Sequence, residues 1–261
     1  MARYDKNYRK ILGVKFFIGE AREAVQRGMS GGLVVVPSAP VLVNAETDSD
    51  TRQAVSLADL AITDSSLMVM TWNLTRRDNI SRVSGLEYLT LLLRSVRNNP
   101  GEQRLFLVLP SEKSAVRTHK WLNEQKIPCG PRQIYVAPIY GPGVILDDDL
   151  LRRIEEVRPT QILIGLGGGT QERLGFFLRI HLPYNPGIHC IGAAIAFLTG
   201  EQVKIPLWVD HLYLGWLLRC FSKPKAYIPR YWKARKLVWR LLSDEESGSR
   251  GDSQIPMTGH E

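Results

Sequence analysis

The chain has 261 residues, of which 44% are hydrophobic, and a formal net charge of +8 at pH 7. This length and apolar content support one substantial core, but they are short for two full domains. One C-terminal stretch holds most of the charge imbalance, which argues against nucleic acid as the partner, because a phosphate backbone needs a long basic surface.

The amino terminus, MARYDKNYRK, is polar, and no apolar signal segment follows it. The three cysteines, Cys129, Cys190 and Cys220, are not spaced as in disulfide or metal sites, so we expect a protein of the reducing cytoplasm. The histidines also lack metal-site spacing, and we expect no metal or other cofactor. The longest apolar stretch, residues 205–218, is interrupted by an acidic residue and is too short to span a bilayer. Any membrane contact is therefore expected to be peripheral.

Short apolar runs alternate along the chain with amphipathic stretches of helical length. This pattern predicts an α/β fold, a Rossmann-like and mainly parallel sheet with crossover helices. The predicted strands are residues 13–18, 33–36, 60–63, 104–109, 133–137, 161–165 and 187–191. Two helices are well signalled: Ser111 begins one that runs to about Lys126, and the acidic run at 147–149 begins another that ends before Pro159.

After Gly200 the pattern changes to aromatic-rich and basic helical stretches, and then to a polar tail. We therefore predict an α/β domain over residues 1–203, a helical appendage over 204–242 and a disordered tail over 243–261. On the last helix, residues 229–242, apolar positions recur every three or four residues, with basic residues opposite. One face of this helix can therefore dock or insert.

Residues 219–240 carry eight basic residues and no acidic one, interleaved with aromatic rings. Such runs are often solvated helix faces, but cations with Trp and Tyr suit the boundary between water and lipid. The sequence therefore predicts contact with an anionic membrane surface or a lipid phosphate. The residues proposed for it are Arg219, Lys223, Arg230, Tyr231, Trp232 and Lys233.

Asp64 follows the apolar run Leu60–Thr63 and precedes two serines. Ligands of open α/β sheets bind where strands end, and a carboxylate there can act as a general base. The alternative is an N-cap, because Asp accepts backbone N–H bonds at helix starts. Arg82 could clamp a phosphate or pair with a carboxylate.

A glycine-rich run, residues 165–169, follows a predicted strand and leads into a helix through Thr170, Gln171 and Glu172. Backbone amides and the helix dipole of such a turn favour a diphosphate. The run lacks the third glycine and the acidic residue of a dinucleotide fingerprint, and it has no Walker lysine. A tight turn without a ligand is an equal alternative.

These motifs, in this order, resemble the WecG/TagA/CpsF glycosyltransferases, glycosyltransferase family 26, over about residues 33–231. The resemblance rests on Asp64, the R-V-x-G motif of Arg82 and Gly85, and the pair Gln171 and Glu172. It extends through residues 192–194, Lys204, Pro206, Trp216, Arg219, Pro224, Arg230 and Tyr231.

The sequence departs from the family pattern at four places. Ser65 follows the aspartate, Val36-Pro37-Ser38 replaces a Thr-x-Asn, Ala196 stands at a carboxylate position and Gly215 precedes Trp216. Either the donor differs or the activity is weaker.

The resemblance implies an inverting transfer of a hexose-type sugar, such as an N-acetylhexosamine or hexuronate, in cell-surface polysaccharide synthesis. The donor would be a nucleotide sugar, with UDP as the nucleotide, and the acceptor a polyprenyl-diphosphate-linked sugar at the inner face of the plasma membrane. The resemblance makes Asp64 the base. It makes the following residues the substrate-binding set: Ser38, Arg82, Gly167, Gly168, Thr170, Gln171, Glu172 and Gly192.

Two other functions stay open: a non-catalytic membrane-binding homologue and an NAD(P)-dependent oxidoreductase that uses the glycine run. The imperfect fingerprint and its late position argue against the oxidoreductase. The sequence leaves open whether the protein forms a homo-oligomer.

Overall fold

The computed structural model describes residues 7–192, 194–200, 232 and 235–243. Eight strands in these ranges form one sheet in the order β1-β2-β4-β3-β8-β7-β5-β6, and all neighbours are parallel except β1 and β2. The strands are β1 Tyr8–Ile11, β2 Val14–Phe17, β3 Gly32–Val35, β4 Leu60–Ile62, β5 Leu105–Leu109, β6 Ile134–Val136, β7 Gln161–Ile164 and β8 Gly187–Cys190. This is the predicted α/β class.

Helices connect the strands and cover both faces of the sheet. They are α1 Ala21–Met29, α2 Ala39–Asn44, α3 Ser49–Ser56, α4 Ser66–Arg76, α5 Gly85–Asn98, α6 Glu112–Glu124, α7 Asp148–Val157, α8 Thr170–His181 and α9 Ala194–Leu198, with a 3-10 turn at Pro131–Gln133. The two signalled helices are confirmed, with Ser111 capping α6 and Asp147 capping α7. Each cap side chain accepts a hydrogen bond from a first-turn amide.

All seven predicted strands are present, and every residue of the inner strands β3, β5, β7 and β8 is buried. Continuous apolar runs of this kind are typical of parallel strands covered on both faces. Side chains of α3, α4, α7 and α8 complete one apolar cluster, and those of α1, α5, α6 and α9 complete the other.

One strand, β1, was not predicted; it pairs antiparallel with β2 at the edge of the sheet. Its residues, Tyr8–Ile11, are mostly polar and only partly buried, as suits an exposed edge strand. The turn that joins the two strands places Leu12 at φ 51° and Gly13 at φ 81°. Two residues with positive φ match a tight hairpin turn.

Residues 235–243 form a helix, named here the terminal helix. Leu237 and Leu241, one turn apart, are buried in the cluster that contains α3 and α8, and Arg240 forms an ion pair of 2.9 Å with Glu46. The predicted apolar face therefore docks on the protein itself. The rest of the predicted appendage and the predicted tail beyond Ser243 lie outside the described residues.

Candidate active site

The predicted site residues of the described part follow four strands that are neighbours in the sheet. The order β4-β3-β8-β7 places side by side the segments that contain Asp64, Ser38, Gly192 and the glycine run 165–169. All four strands are parallel, so these segments leave the sheet at one edge, named here the carboxyl edge. Ligands of open α/β sheets bind at this edge.

Asp64 is fixed through one of its two carboxylate oxygens. Oδ1 accepts hydrogen bonds from the Gly85 amide at 2.9 Å and from an Arg82 Nη at 3.2 Å, while Arg82 Nε donates to the Asp64 carbonyl at 2.7 Å. Within the part of the chain that the structure describes, Oδ2 accepts no hydrogen bond, and the side chain is 25% exposed. One oxygen is thus held while the other is left to meet a ligand.

The N-cap alternative for Asp64 is wrong, because its neighbour caps the helix. Ser65 stands in extended conformation before α4, and its hydroxyl accepts a hydrogen bond of 3.3 Å from the Met68 amide. The carboxylate of Asp64 instead turns to the start of α5. A carboxylate at a helix N-terminus is stabilised by the helix dipole.

Thr63 brings the arginine to the aspartate, a role that the sequence analysis missed. Its hydroxyl donates to the Ser81 carbonyl at 2.8 Å and accepts from the Val83 amide at 3.1 Å, so residues 81–83 are joined to the end of β4. Arg82, which lies between these two contacts, is only 10% exposed and faces Asp64. The sequence signal that could have indicated this link is the polar Thr63 that ends the apolar run directly before Asp64.

The glycine run ends in a helix start that the protein satisfies itself. Gly169 has φ 89°, and its amide donates a hydrogen bond of 2.6 Å to Glu172. Glu172 is fully buried, and burial raises the pKa of its carboxyl, although hydrogen bonds from Gln171 and Gly169 act in the opposite direction. Gly167 and Gly168 are exposed at the carboxyl edge.

Gln171 joins α8 to the segment that follows β8. Its Oε1 accepts from the Gly192 amide at 2.6 Å, and its Nε2 donates to Glu172 at 2.9 Å and to the Cys190 carbonyl at 3.4 Å. The side chain is 3% exposed. Both Gln171 and Glu172 therefore hold the loops of the carboxyl edge, and a direct contact of either with a substrate stays a prediction.

Ser38 and Thr170 occupy helix starts at the same edge. Ser38 is the N-cap residue of α2, is half-buried and makes no cap hydrogen bond with its hydroxyl, and Thr170 is the half-buried first residue of α8. Of the predicted diphosphate and membrane residues, only Trp232 is described, and it is 64% exposed. The others lie outside the described residues: Arg219, Lys223, Arg230, Tyr231 and Lys233.

A cavity of about 380 Å³ lies at the opposite edge, where β7 and β8 begin. Its lining includes Arg104, Arg158 and Tyr184, and none of the predicted site residues. Among the described residues, no group of three or more metal-binding side chains is close enough to hold an ion. In the same part of the chain, no helix combines the length and the apolar character needed to cross a bilayer.

The model of one protein family, described as the glycosyl transferase WecG/TagA/CpsF family, matches residues 9–250. No curated protein is significantly similar in sequence to the chain. The family match spans the sheet from Arg9 onward, the Asp64 and Arg82 pair, the glycine run and the terminal helix. The chain therefore belongs to the WecG/TagA/CpsF family of glycosyltransferases.

Proposed function

We propose that this glycosyltransferase moves a hexose-type sugar, with inversion, from a UDP-sugar to a sugar carried on polyprenyl diphosphate. One observation carries the proposal: Asp64 stands at the carboxyl edge with Oδ1 held by Gly85 and Arg82 while Oδ2 accepts no hydrogen bond in the described part of the chain. A fixed carboxylate with one available oxygen suits a general base.

In the proposed step, Asp64 Oδ2 takes the proton of the acceptor hydroxyl. The hydroxyl oxygen attacks the anomeric carbon, a new C–O bond forms on one face of the sugar, and the bond to the nucleotide diphosphate breaks on the other. A single displacement inverts the anomeric configuration. The electron pair leaves with the diphosphate. The cations of residues 219–240 would stabilise it through charge-assisted hydrogen bonds.

Arg82 acts in this scheme by orienting the base. Its guanidinium binds both the carbonyl and the carboxylate of Asp64, a planar arrangement that a lysine ammonium does not reproduce. Gln171 holds the Gly192 segment close to the glycine run. Positioning of this kind supplies a large part of the rate when two bound sugars must meet in line.

The terminal helix supports the proposal that the enzyme works at a membrane surface. While Leu237 and Leu241 face the protein, Trp232 and Trp239 are 64% and 72% exposed. The guanidinium of Arg235 stacks on the Trp232 ring at 4.2 Å. Exposed Trp side chains among cations suit the lipid headgroup region.

The test is release of UDP from a panel of UDP-sugars, with a short-chain polyprenyl-diphosphate sugar as acceptor. Asp64→Asn should lower kcat by a factor of about 10² to 10⁴, since the base is lost while the hydrogen bonds to Gly85 and Arg82 can persist. Asp78→Asn is the matched control, because Asp78 is also 25% exposed and pairs with Arg9 at 2.7 Å. Full turnover by Asp64→Asn would remove this residue from the mechanism.

A further inference from the structure

The loop that follows β6 exposes three aliphatic side chains within eight residues. Ile139 is 102% exposed, Val144 78% and Leu146 74%. Residues 139–146 are named here the apolar loop. Exposed apolar side chains are normally scattered singly, whereas three large aliphatic side chains concentrated on one short loop indicate a partner.

The apolar loop is held in this conformation by buried contacts at both ends. The Asp147 carboxylate accepts hydrogen bonds from Tyr140 at 2.5 Å and from Tyr135 at 3.1 and 3.0 Å. Ile145, between the exposed Val144 and Leu146, is buried in the core. The outward direction of its two neighbours is therefore set by the packing of Ile145 and by the fixed Asp147.

Arg173 ties the apolar loop to the candidate site. Its guanidinium donates to the carbonyl of Gly141 at 3.0 Å and to that of Gly143. Arg173 belongs to the first turn of α8, directly after the glycine run. The apolar loop begins at the carboxyl edge, as does the segment that contains Asp64. The two segments follow β6 and β4, which are five positions apart in the sheet order, or about 24 Å at ordinary strand spacing.

The terminal helix reaches the other side of the glycine run through a second series of contacts. Arg240 pairs with Glu46, just before α3. Thr51 of α3 is close to Gly169, because a Cβ added to Gly169 would stand 3.5 Å from the Thr51 hydroxyl. The exposed Trp239 and the apolar loop are thus both connected to the glycine run, one through α3 and the other through α8. Both exposed apolar groups are therefore linked through the fold to the glycine run of the candidate site.

We propose that the apolar loop is a second membrane contact, which inserts Ile139, Val144 and Leu146 into a lipid surface together with Trp232 and with Trp239 of the terminal helix. This inference rests on the proposed lipid-linked acceptor. A bilayer fits better than a second copy of the chain, because the three side chains offer on the order of 300 Å² of apolar area and a stable dimer needs about 800 Å² from each partner. A few inserted aliphatic side chains suffice for reversible attachment to a membrane.

The test compares the full chain with the triple variant Ile139→Ser/Val144→Ser/Leu146→Ser in pelleting with vesicles of phosphatidylglycerol and phosphatidylethanolamine in equal parts. The partition coefficient should fall by at least about tenfold. Leu57→Ser/Ile180→Ser is the control, because these side chains are 58% and 59% exposed at the opposite edge of the sheet. It should bind vesicles as the wild type does.

A second measurement locates the loop directly. Val144→Cys, labelled with an environment-sensitive fluorophore in a Cys220→Ser background, should shift its emission to the blue on vesicles, and Leu57→Cys should not. The other two cysteines, Cys129 and Cys190, are buried. A label at residue 144 that stays as water-exposed on vesicles as in buffer would overturn the proposal.

Activity on a short-chain, water-soluble acceptor separates this inference from the proposed function. The triple variant should retain wild-type turnover there, because none of its residues belongs to the Asp64 site. If the wild type has no transferase activity but binds vesicles, and the triple variant does not bind them, the membrane contact is supported and the proposed function is refuted. Unchanged vesicle binding in an active triple variant would overturn the contact alone, as would a wild-type dimer that the triple variant converts to a monomer.

Discussion

The amide of Gly85 reaches Asp64 Oδ1 at 2.9 Å in a space that leaves no room for a side chain. A Cβ on residue 85 would stand 2.9 Å from Val36 Cγ1 and 3.6 Å from Asp64 Oδ1. Real Cβ atoms are almost never found within 3.0 Å of a neighbour, so either Val36 or the start of α5 would have to move. The glycine of the R-V-x-G motif thus allows the close approach of α5 to the base.

Gly85→Ala should lower kcat about tenfold, because a shift of a few tenths of an ångström at the start of α5 loosens the held oxygen of Asp64. The cost in folding free energy should stay within about 1 to 3 kcal/mol, as for other overpacked sites. Steady-state kinetics and urea denaturation measure the two effects. The double variant Gly85→Ala/Val36→Ala should recover part of the lost rate, and no recovery would show that the Val36 contact is not the cause.

Gln171→Glu should be far more harmful than the similarly sized Gln171→Met. The side-chain amide nitrogen of Gln171 lies 2.9 Å from the carboxylate of Glu172, and both residues are buried. Gln171→Glu puts a second carboxyl in its place, and two neighbouring negative charges cannot be accommodated there. We expect a loss of about 3 to 5 kcal/mol at pH 7 for Gln171→Glu and about 1 to 3 kcal/mol for Gln171→Met.

Lowering the pH should distinguish the two Gln171 variants. Protonation of the added carboxyl removes the repulsion, so Gln171→Glu should lose less stability relative to the wild type at pH 5 than at pH 7. Gln171→Met adds no carboxyl and removes only the hydrogen bond by which Gln171 lowers the pKa of Glu172, so its recovery at pH 5 should be smaller. Equal deficits of Gln171→Glu at both pH values, measured by urea denaturation, would contradict the like-charge explanation.

His189 should make the fold sensitive to acid. The ring lies between the Tyr88 hydroxyl and Gln161 Oε1, both at 2.8 Å, and burial lowers its pKa from 6.5 to about 3. Gln161 Nε2 donates to two oxygens, so its Oε1 accepts from His189 Nε2 and leaves His189 Nδ1 to accept from Tyr88. The folded state therefore keeps the ring neutral.

In the unfolded chain His189 gains a proton below about pH 6.5, whereas the folded chain does not bind it until about pH 3. Its contribution to stability is complete above pH 6.5 and is lost as the pH falls toward 3. His189→Gln keeps an acceptor and a donor without a titrating ring. Its free energy of unfolding should therefore fall less steeply with acid than that of the wild type, by up to about 1.4 kcal/mol per pH unit in this window. Equal slopes in urea titrations would refute this assignment.

Leu237→Ala/Leu241→Ala should release the terminal helix from the protein while the sheet stays folded. The two side chains are 0% and 1% exposed, and removal of buried leucine side chains costs about 2 to 5 kcal/mol each. Amide hydrogen exchange should become faster in residues 235–243 and not in β5 or β7. Trp239→Ala removes a larger but 72% exposed side chain from the same helix and is the control. Equal acceleration in both variants would show that burial does not hold the helix.

The inner sheet was predictable from local sequence because its strands are continuous apolar runs between turn residues, as Leu105–Leu109 shows. β1 escaped prediction because an edge strand needs neither apolar residues nor alternation, and its pairing depends on the hairpin turn at Leu12 and Gly13. The sequence left open whether Asp64 caps α4. Asp64 and Ser65 are both good caps, and only the position of Gly85 decides which of them turns away from the helix.

The sequence by itself determined the fold class, the family and the motifs that follow each strand, because these depend on residue type and spacing along the chain. Only the tertiary structure decided what those motifs do. The strand order brings the segments after β4, β3, β8 and β7 to one edge. Through-space contacts between residues 18 to 21 positions apart then pair Arg82 and Gly85 with Asp64 and join Gln171 to Gly192. Spacing along the chain does not encode such contacts, because they form only when the chain returns to the carboxyl edge in the folded protein.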